Sequence, residues 1–235
     1  NNIKIFNNIN FKKNILKKSD ITITAIPGIA GLNPTIEMIK KSKKVLLANK
    51  ESIICGWHII KKTAAKNKTK LVPVDSEHFS IMKLLENHPL KEVKKIYLTA
   101  SGGPFLNYSV SQLKYVKPSI AIKHLKWVMK KKISIDSATL MNKILEVIEA
   151  QKLFSLNLNK INIIIHPESL VHAIIELKNG LHKLIYHNTT MIIPLGIAML
   201  ESNFRIDEFV KIKTKNDKQP FFKKLNFLNV NEKKF

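Results

Sequence analysis

The sequence predicts an α/β fold, on three observations. A strand-like run, a helical run and a second strand-like run follow one another within residues 20–50. Further β-rich apolar segments alternate with helical periodicity along the rest of the chain. No apolar run approaches the roughly 20 residues needed to span a bilayer, so no membrane association is expected. With 235 residues and 45% hydrophobic content, the chain can bury one large core or two smaller ones, which excludes disorder.

The elements can be read in order. "DITITAIPGIAGLNPTIEMIKKSKKVLLANKES" is a buried strand at Ile21 to Ala25, a Gly-containing loop, a helix near Pro34 to Lys41 and a strand at Lys44 to Ala48. That succession implies a parallel pair. A further amphipathic helix covers Trp57 to Lys66. In "KLVPVDSEHFSIMKLLENH", Leu71 to Val74 is strand-like and Phe79 to Glu86 helical, so "DSEH" falls at the turn between them. Open α/β sheets hold ligands at the carboxyl ends of strands, which makes that location chemically suggestive.

"VKKIYLTASGGPF" is another strand, ending in Ser and a double glycine. "AIKHLKWVMKKKIS" is a Lys-rich loop with His124 and Trp127 embedded in it. "ISIDSATLMNKILEVIEA" is helix-like, with Asp136 or Ser137 where an N-cap belongs. "INIIIH" and "HAIIEL" are strands, and "GLHKLIY" pairs with the second as a hairpin across "KNG". Beyond about Asn203 the chain turns polar and Lys-rich and reads as a linker or the start of something truncated.

The formal charge is +23, yet of the 40 basic residues only Arg205 is Arg. Nucleic-acid readers usually use Arg as well, and Lys spread among Asn and Ile is what an AT-rich genome produces by itself. A nucleic-acid partner is therefore not expected; charge is its sole motive. The single cysteine, Cys55, excludes an intramolecular disulfide and fits a reducing compartment, the cytoplasm or an organelle matrix. The start "NNIKIFNNINFKKN" has neither an initiator Met nor a signal-like core, so the chain reads as a fragment.

Several clusters could carry chemistry. In an extended segment Asp75 and Glu77 would point the same way, and their repulsion would be relieved by a hard cation such as Mg²⁺ or Mn²⁺. Alternatively "DSEH" caps the next helix and faces water. Asn142, Lys143 and Glu146 share one helical face, with Leu140, Ile144, Val147 and Ile148 largely on another. Such a face can bind a phosphate and offer a carboxylate to a metal, or it can be a solvated surface with a Lys-Glu pair. Ser101, Gly102 and Gly103 suit close approach to an anion, or a plain tight turn. The loop bearing His124 and Trp127 could close over a ligand, or Trp127 could simply pack. His166 and His172 read as hydrogen-bonded structural residues.

The order of the motifs is more specific than any one of them. "LANKES", "PVDSEH", "SGGPF", a His-x-x-Trp-x-Met stretch leading into "KISIDSATLMNKILEVIEA", and "HPESLVHA" together resemble 1-deoxy-D-xylulose-5-phosphate reductoisomerases from about Asp20 onwards. The resemblance implies the second half of a Rossmann-like NADPH-binding domain over residues 1–70, a catalytic α/β domain over 71–203 with a flap near 123–132, and a linker over 204–235. The family's N-terminal Gly-rich loop and C-terminal helical domain would lie outside the chain. The implied metal ligands are Asp75, Glu77 and Glu146, holding Mg²⁺ or Mn²⁺. The implied phosphate ligands are Ser101, Ser137, Asn142 and Lys143, with Ser76 and Lys50 at the hydroxyl-bearing carbons of the substrate. Asn49, Glu51 and Lys130 match positions beside NADPH, and His124, Trp127 and Met129 match the flap.

The resemblance further implies a homodimer and a phosphosugar substrate, rearranged with metal assistance and then reduced. Departures from the family pattern are Leu125, Lys130, Ile144 and Thr190; Ile144 is expected to face the core. A non-catalytic fragment or decayed homologue of the same family is the alternative reading.

Overall fold

A computed structural model of the chain describes residues 18–121, 135–136, 138–209 and 225–230. It divides into two compact units between Val72 and Pro73.

The first unit is built on a three-stranded sheet of order β1-β2-β3, with β1 at Ser19–Thr24, β2 at Ser42–Leu47 and β3 at Lys70–Pro73. β1 and β2 run parallel, Ser19 opposite Ser42 and Thr24 opposite Leu47. Val45, Leu46 and Leu47 are fully buried, the continuous apolar run expected of a covered parallel strand. Helix α1 (Leu32–Lys40) links β1 to β2, and α2 (Lys50–Asn67) links β2 to β3. The helices pack closely because Gly56 has no side chain: a Cβ there would lie 2.3 Å from Leu32 Cδ1.

Helix α2 starts seven residues before the Trp57 expected from periodicity. Asn49 caps it, its side-chain oxygen accepting from the Ser52 amide, and this cap recruits the polar "KES" into the first turn.

The second unit carries a mixed sheet of order β5-β4-β6-β7, formed by β4 (Val93–Ala100), β5 (Ile161–Ile165), β6 (Val171–Leu177) and β7 (His182–Tyr186). β4 pairs parallel with β5 and antiparallel with β6, while β6 and β7 form the hairpin. Gly180 takes the left-handed conformation of its turn, φ 90°. Helix α3 (Ser76–Leu85) precedes β4, and the short helices α4 (Val110–Leu113) and α5 (Pro118–Ala121) follow it. Helix α6 (Met141–Phe154) precedes β5, and α7 (Ile192–Leu200) follows the hairpin. α3 and α6 meet the sheet in one apolar core that includes Ile81, Leu84, Ile96, Leu98, Ala150 and Ile175.

Three expectations are corrected here. The long helix does not begin at Asp136: Ile135, Asp136 and Ala138 are helical in a separate short stretch, where the Thr139 amide donates to the Ile135 carbonyl, and α6 starts at Met141 after Leu140 in the left-handed region, φ 56°. Leu140 tolerates that backbone because its side chain is buried with Ala100 and Ile165. Ile144 is not core-facing but 49% exposed. Lastly, residues 225–230 are not a bare linker, because Leu228 exchanges both backbone hydrogen bonds with Ile165 at the β5 edge.

Among the described residues no helix is long and apolar enough to cross a membrane.

Candidate active site

The site grows from the start of α3. Asp75 occupies its N-cap position, and the Phe79 amide donates to the Asp75 carbonyl at 2.8 Å. Glu77 is then the second helical residue, so the extended arrangement expected for Asp75 and Glu77 is replaced by a helix entry. The two carboxylates are brought together with a third: one oxygen from each of Asp75, Glu77 and Glu146 lies within 4.8 Å of the others. All donors are carboxylate oxygens, the set that suits a hard divalent cation.

Glu146 reaches this cluster because α6 turns its charged face inward. Lys143, Glu146 and Glu149 are buried at 5%, 2% and 1% exposure, whereas Met141 and Ile144 are exposed. Buried charge is tolerable only when compensated. Lys143 Nζ donates to Glu77 Oε1 at 2.7 Å and forms an ion pair with Glu146 Oε2, and Asn142 Nδ2 donates to Glu146 Oε1. Ser76, also buried, donates to Glu77 Oε2 at 2.6 Å.

Burial, followed by the charge of Glu146, pushes the Glu77 carboxyl up to about 7, although Lys143 pulls the other way. Burial by itself would lower the Lys143 pKa; Glu146 and Glu77 outweigh it and hold the ammonium firmly protonated.

Behind the carboxylates lies His78, fully buried. Its Nε2 donates to the Glu146 carbonyl at 2.9 Å, and its Nδ1 faces Glu149 Oε2 at 3.4 Å and Asp75 Oδ1 at 3.9 Å. Burial opposes protonation of this ring, but the facing carboxylates of Glu149, Asp75 and Glu146 raise its pKa overall. His78 ties α3 to the backbone of α6. Sequence reading missed both His78 and Glu149, although the i, i+3 spacings Asp75-His78 and Glu146-Glu149 carried the signal.

On the other side of Lys143, a small cleft is lined by Ala100, Ser101, Gly102, Leu140, Asn142 and Lys143. Gly102 and Gly103 both have positive φ, 83° and 65°, and the Gly103 amide donates to Ser101 Oγ at 3.3 Å. A Cβ on Gly102 would fall 2.7 Å from Leu106 Cδ1. Ser101, Asn142 and Lys143 are thus brought to one cleft. Ser137, His124, Trp127, Met129 and Lys130 lie outside the described residues.

His166 and His172 are hydrogen-bonded as expected: His166 Nδ1 donates to Asn226 O at 2.8 Å and His172 Nε2 to His187 O at 3.3 Å. The His172 ring stacks on His187 with centroids 3.9 Å apart. Burial, then the charge of His187, lowers the His172 pKa to about 3, so this ring is neutral at physiological pH.

In the first unit, Asn49 is buried and already engaged: besides capping α2, its Nδ2 donates to the carbonyls of Ile26 and Gly28, the latter at 2.9 Å. It shapes the loop after β1. Lys50 and Glu51 form the first turn of α2, both partly buried.

Two family models match the chain: one described as 1-deoxy-D-xylulose 5-phosphate reductoisomerase over residues 3–56, the other as the C-terminal domain of that enzyme over residues 71–154. The chain belongs to the 1-deoxy-D-xylulose 5-phosphate reductoisomerase family. Among reductoisomerases so named, that of Pelagibacter ubique is 48% identical over 231 residues, 97% of this chain and 58% of the relative. That of Wolbachia pipientis wMel is 50% identical over 181 residues, 77% of this chain and 46% of the relative. Two solved reductoisomerases share the fold with TM-scores of 0.79. One, in complex with NADPH, fosmidomycin and magnesium, is 36% identical over 92% of this chain and 54% of its own. The other, from Zymomonas mobilis in complex with NADPH, is 33% identical over 96% and 56%. The chain thus spans about half the length of these reductoisomerases.

Proposed function

We propose that the full-length protein converts 1-deoxy-D-xylulose 5-phosphate into 2-C-methyl-D-erythritol 4-phosphate, by metal-assisted rearrangement followed by reduction with NADPH. One observation carries the reading: the carboxylates of Asp75, Glu77 and Glu146 gather beside a cleft holding Ser101, Asn142 and Lys143. A substrate with metal-chelating oxygens at one end and a phosphate at the other matches that pairing.

Asp75, Glu77 and Glu146 would hold Mg²⁺ or Mn²⁺; burial first, and then the neighbouring charge of Glu146, raises the Glu77 pKa, and a divalent cation among the three carboxylates would offset that repulsion. The first unit suits NADPH in its parallel topology, and the loop after β1 contains Gly28 at φ 73° with open space where a Cβ would lie. When bound, the metal supplies a Lewis acid to the substrate oxygens and NADPH supplies a hydride.

The chain's own residues bind and position. Ser101, Asn142 and Lys143, with Ser137, hold the phosphate and so fix the reacting carbons remote from it. Ser76 and Lys50 bind the hydroxyl-bearing carbons. His124, Trp127 and Met129 close over the substrate and exclude water. Asn49 positions the loop beside the cofactor, and Glu51 and Lys130 contact it.

In this reading residues 1–70 are part of a Rossmann-like domain and 71–203 the catalytic domain. Residues 204–235 lead towards a C-terminal helical domain, and the whole protein is a homodimer. The bacterial source of the relatives supports a cytoplasmic location.

The test is NADPH oxidation by the full-length protein. It should require both the phosphosugar and Mn²⁺, and Glu146→Gln should abolish it while leaving the circular dichroism spectrum unchanged. Undiminished turnover in Glu146→Gln would overturn the metal assignment.

A further inference from the structure

Lys143 is shared by two neighbouring sites. Its ammonium donates to Glu77 Oε1 at 2.7 Å and pairs with Glu146 Oε2, two of the three carboxylates of the cluster. The same residue lines the cleft with Ser101, Gly102 and Asn142. The carboxylates offer oxygens that either a divalent cation or the ammonium can use, and two cations among the same oxygens repel. Lysine is a point charge on a four-carbon stem, so its head can move without its backbone. The backbone here is held: His78 binds the Glu146 carbonyl at 2.9 Å from the far side, and Val147 and Ala150 anchor α6 in the core.

We propose that Lys143 couples the two sites, a divalent cation entering between Asp75, Glu77 and Glu146 and displacing the Lys143 ammonium into the Ser101-Asn142 cleft, where it binds a phosphate group. The inference rests on reading the carboxylates as a metal site, as proposed above. Without a divalent cation, the ammonium is engaged by Glu77 and Glu146, and its charge is partly neutralised for an anion in the cleft. Without a phosphate, the cation must displace an ammonium from the carboxylates with no bound anion to receive it in the cleft. Each ligand therefore strengthens the other, and by the same factor.

The experiment uses the full-length protein, Mn²⁺ followed by its electron paramagnetic resonance signal, and inorganic phosphate as the second ligand. In the wild type, saturating phosphate should tighten Mn²⁺ binding by about fivefold or more. In Lys143→Gln the enhancement should vanish, and Mn²⁺ alone should bind more tightly than to the wild type, because the competing ammonium is gone. Lys143→Arg, which keeps the charge, should retain an enhancement and guards against a folding defect in the Gln variant. Equal enhancement in Lys143→Gln, as when phosphate binds the metal directly, or weaker Mn²⁺ binding there, overturns the inference. If Mn²⁺ binds and Glu146→Gln removes it but phosphate has no effect on the wild type, the coupling fails and the metal site stands. If Mn²⁺ does not bind at all, both fall.

Discussion

Helix α2 of the first unit buries Ile53, Gly56, Ile60 and Ala64, a small apolar stripe at intervals of three and four, beneath an Asn49 cap. Helix α6 of the second unit buries Lys143, Glu146 and Glu149, and leaves Met141 and Ile144 outside. Hydrophobic burial stabilises the first arrangement directly, by about 1.5–3 kcal/mol for each fully buried large side chain. The second places charges where they are costly and offsets the cost with ion pairs and hydrogen bonds, so its net contribution to stability is small and its removal piecemeal is damaging. α2 is built to hold the fold; α6 is built to hold a charged group in place, and Ala150 with partly buried Val147 and Phe154 ties it into the apolar core of the described residues.

The contrast can be broken or sharpened by substitution. The largest expected effect on stability is on the α2 side: Ile60→Ala should cost about 2–5 kcal/mol, read from the denaturant midpoint at unchanged slope. A smaller loss would mean that the first unit relaxes around the cavity.

On the α6 side the expected signature is in pH. The Glu77 carboxyl sits near 7 in the folded protein, above its ordinary value, so below that pH it carries a proton that a cation must displace. Mn²⁺ affinity of the full-length protein should fall as pH is lowered from about 8 to 6, by at most about tenfold per unit for one proton. In the absence of metal the same group binds its proton more readily when folded. Its contribution to stability is therefore present at low pH and lost as pH rises through the window from the ordinary carboxylate value to about 7. An affinity flat across that range would remove Glu77 from the ligands.

Asn49→Ala should cost about 1 kcal/mol through the lost cap, and somewhat more if the Ile26 and Gly28 carbonyls are left without their donor. Smallest of all, Ile144→Ser should change stability by less than about 0.5 kcal/mol, since the side chain lies on the exposed face of α6. A loss comparable to that of Ile60→Ala would mean that a partner surface covers this face.

Much of this was legible in the sequence. The alternation of strands and helices, the parallel first pair and the hairpin at the "KNG" turn follow from periodicity and turn chemistry, which are local. The candidate site residues were legible as types, because Asp75, Glu77 and Glu146 are carboxylates at suggestive spacings, but not in their mode of approach. Spacing alone makes Asp75 and Glu77 extended neighbours, whereas they form the entry to a helix. The start of α2 escapes periodicity because a polar first turn carries no apolar repeat, and the cap that explains it is one side-chain hydrogen bond.

By itself the sequence determined which residues could do chemistry and which elements would carry them, because residue type and short-range spacing decide local conformation. Only the tertiary structure decided which face of α6 would be inside. An apolar-face rule places Ile144 in the core and Lys143 in water, and that rule holds where burial of hydrocarbon outweighs every other contribution. Here Glu77, 66 residues earlier in the chain, supplies the counter-charge that lets Lys143 be buried, and His78 supplies the donor that anchors the Glu146 backbone. Those partners come from another helix, and no local pattern around residues 141–154 records them.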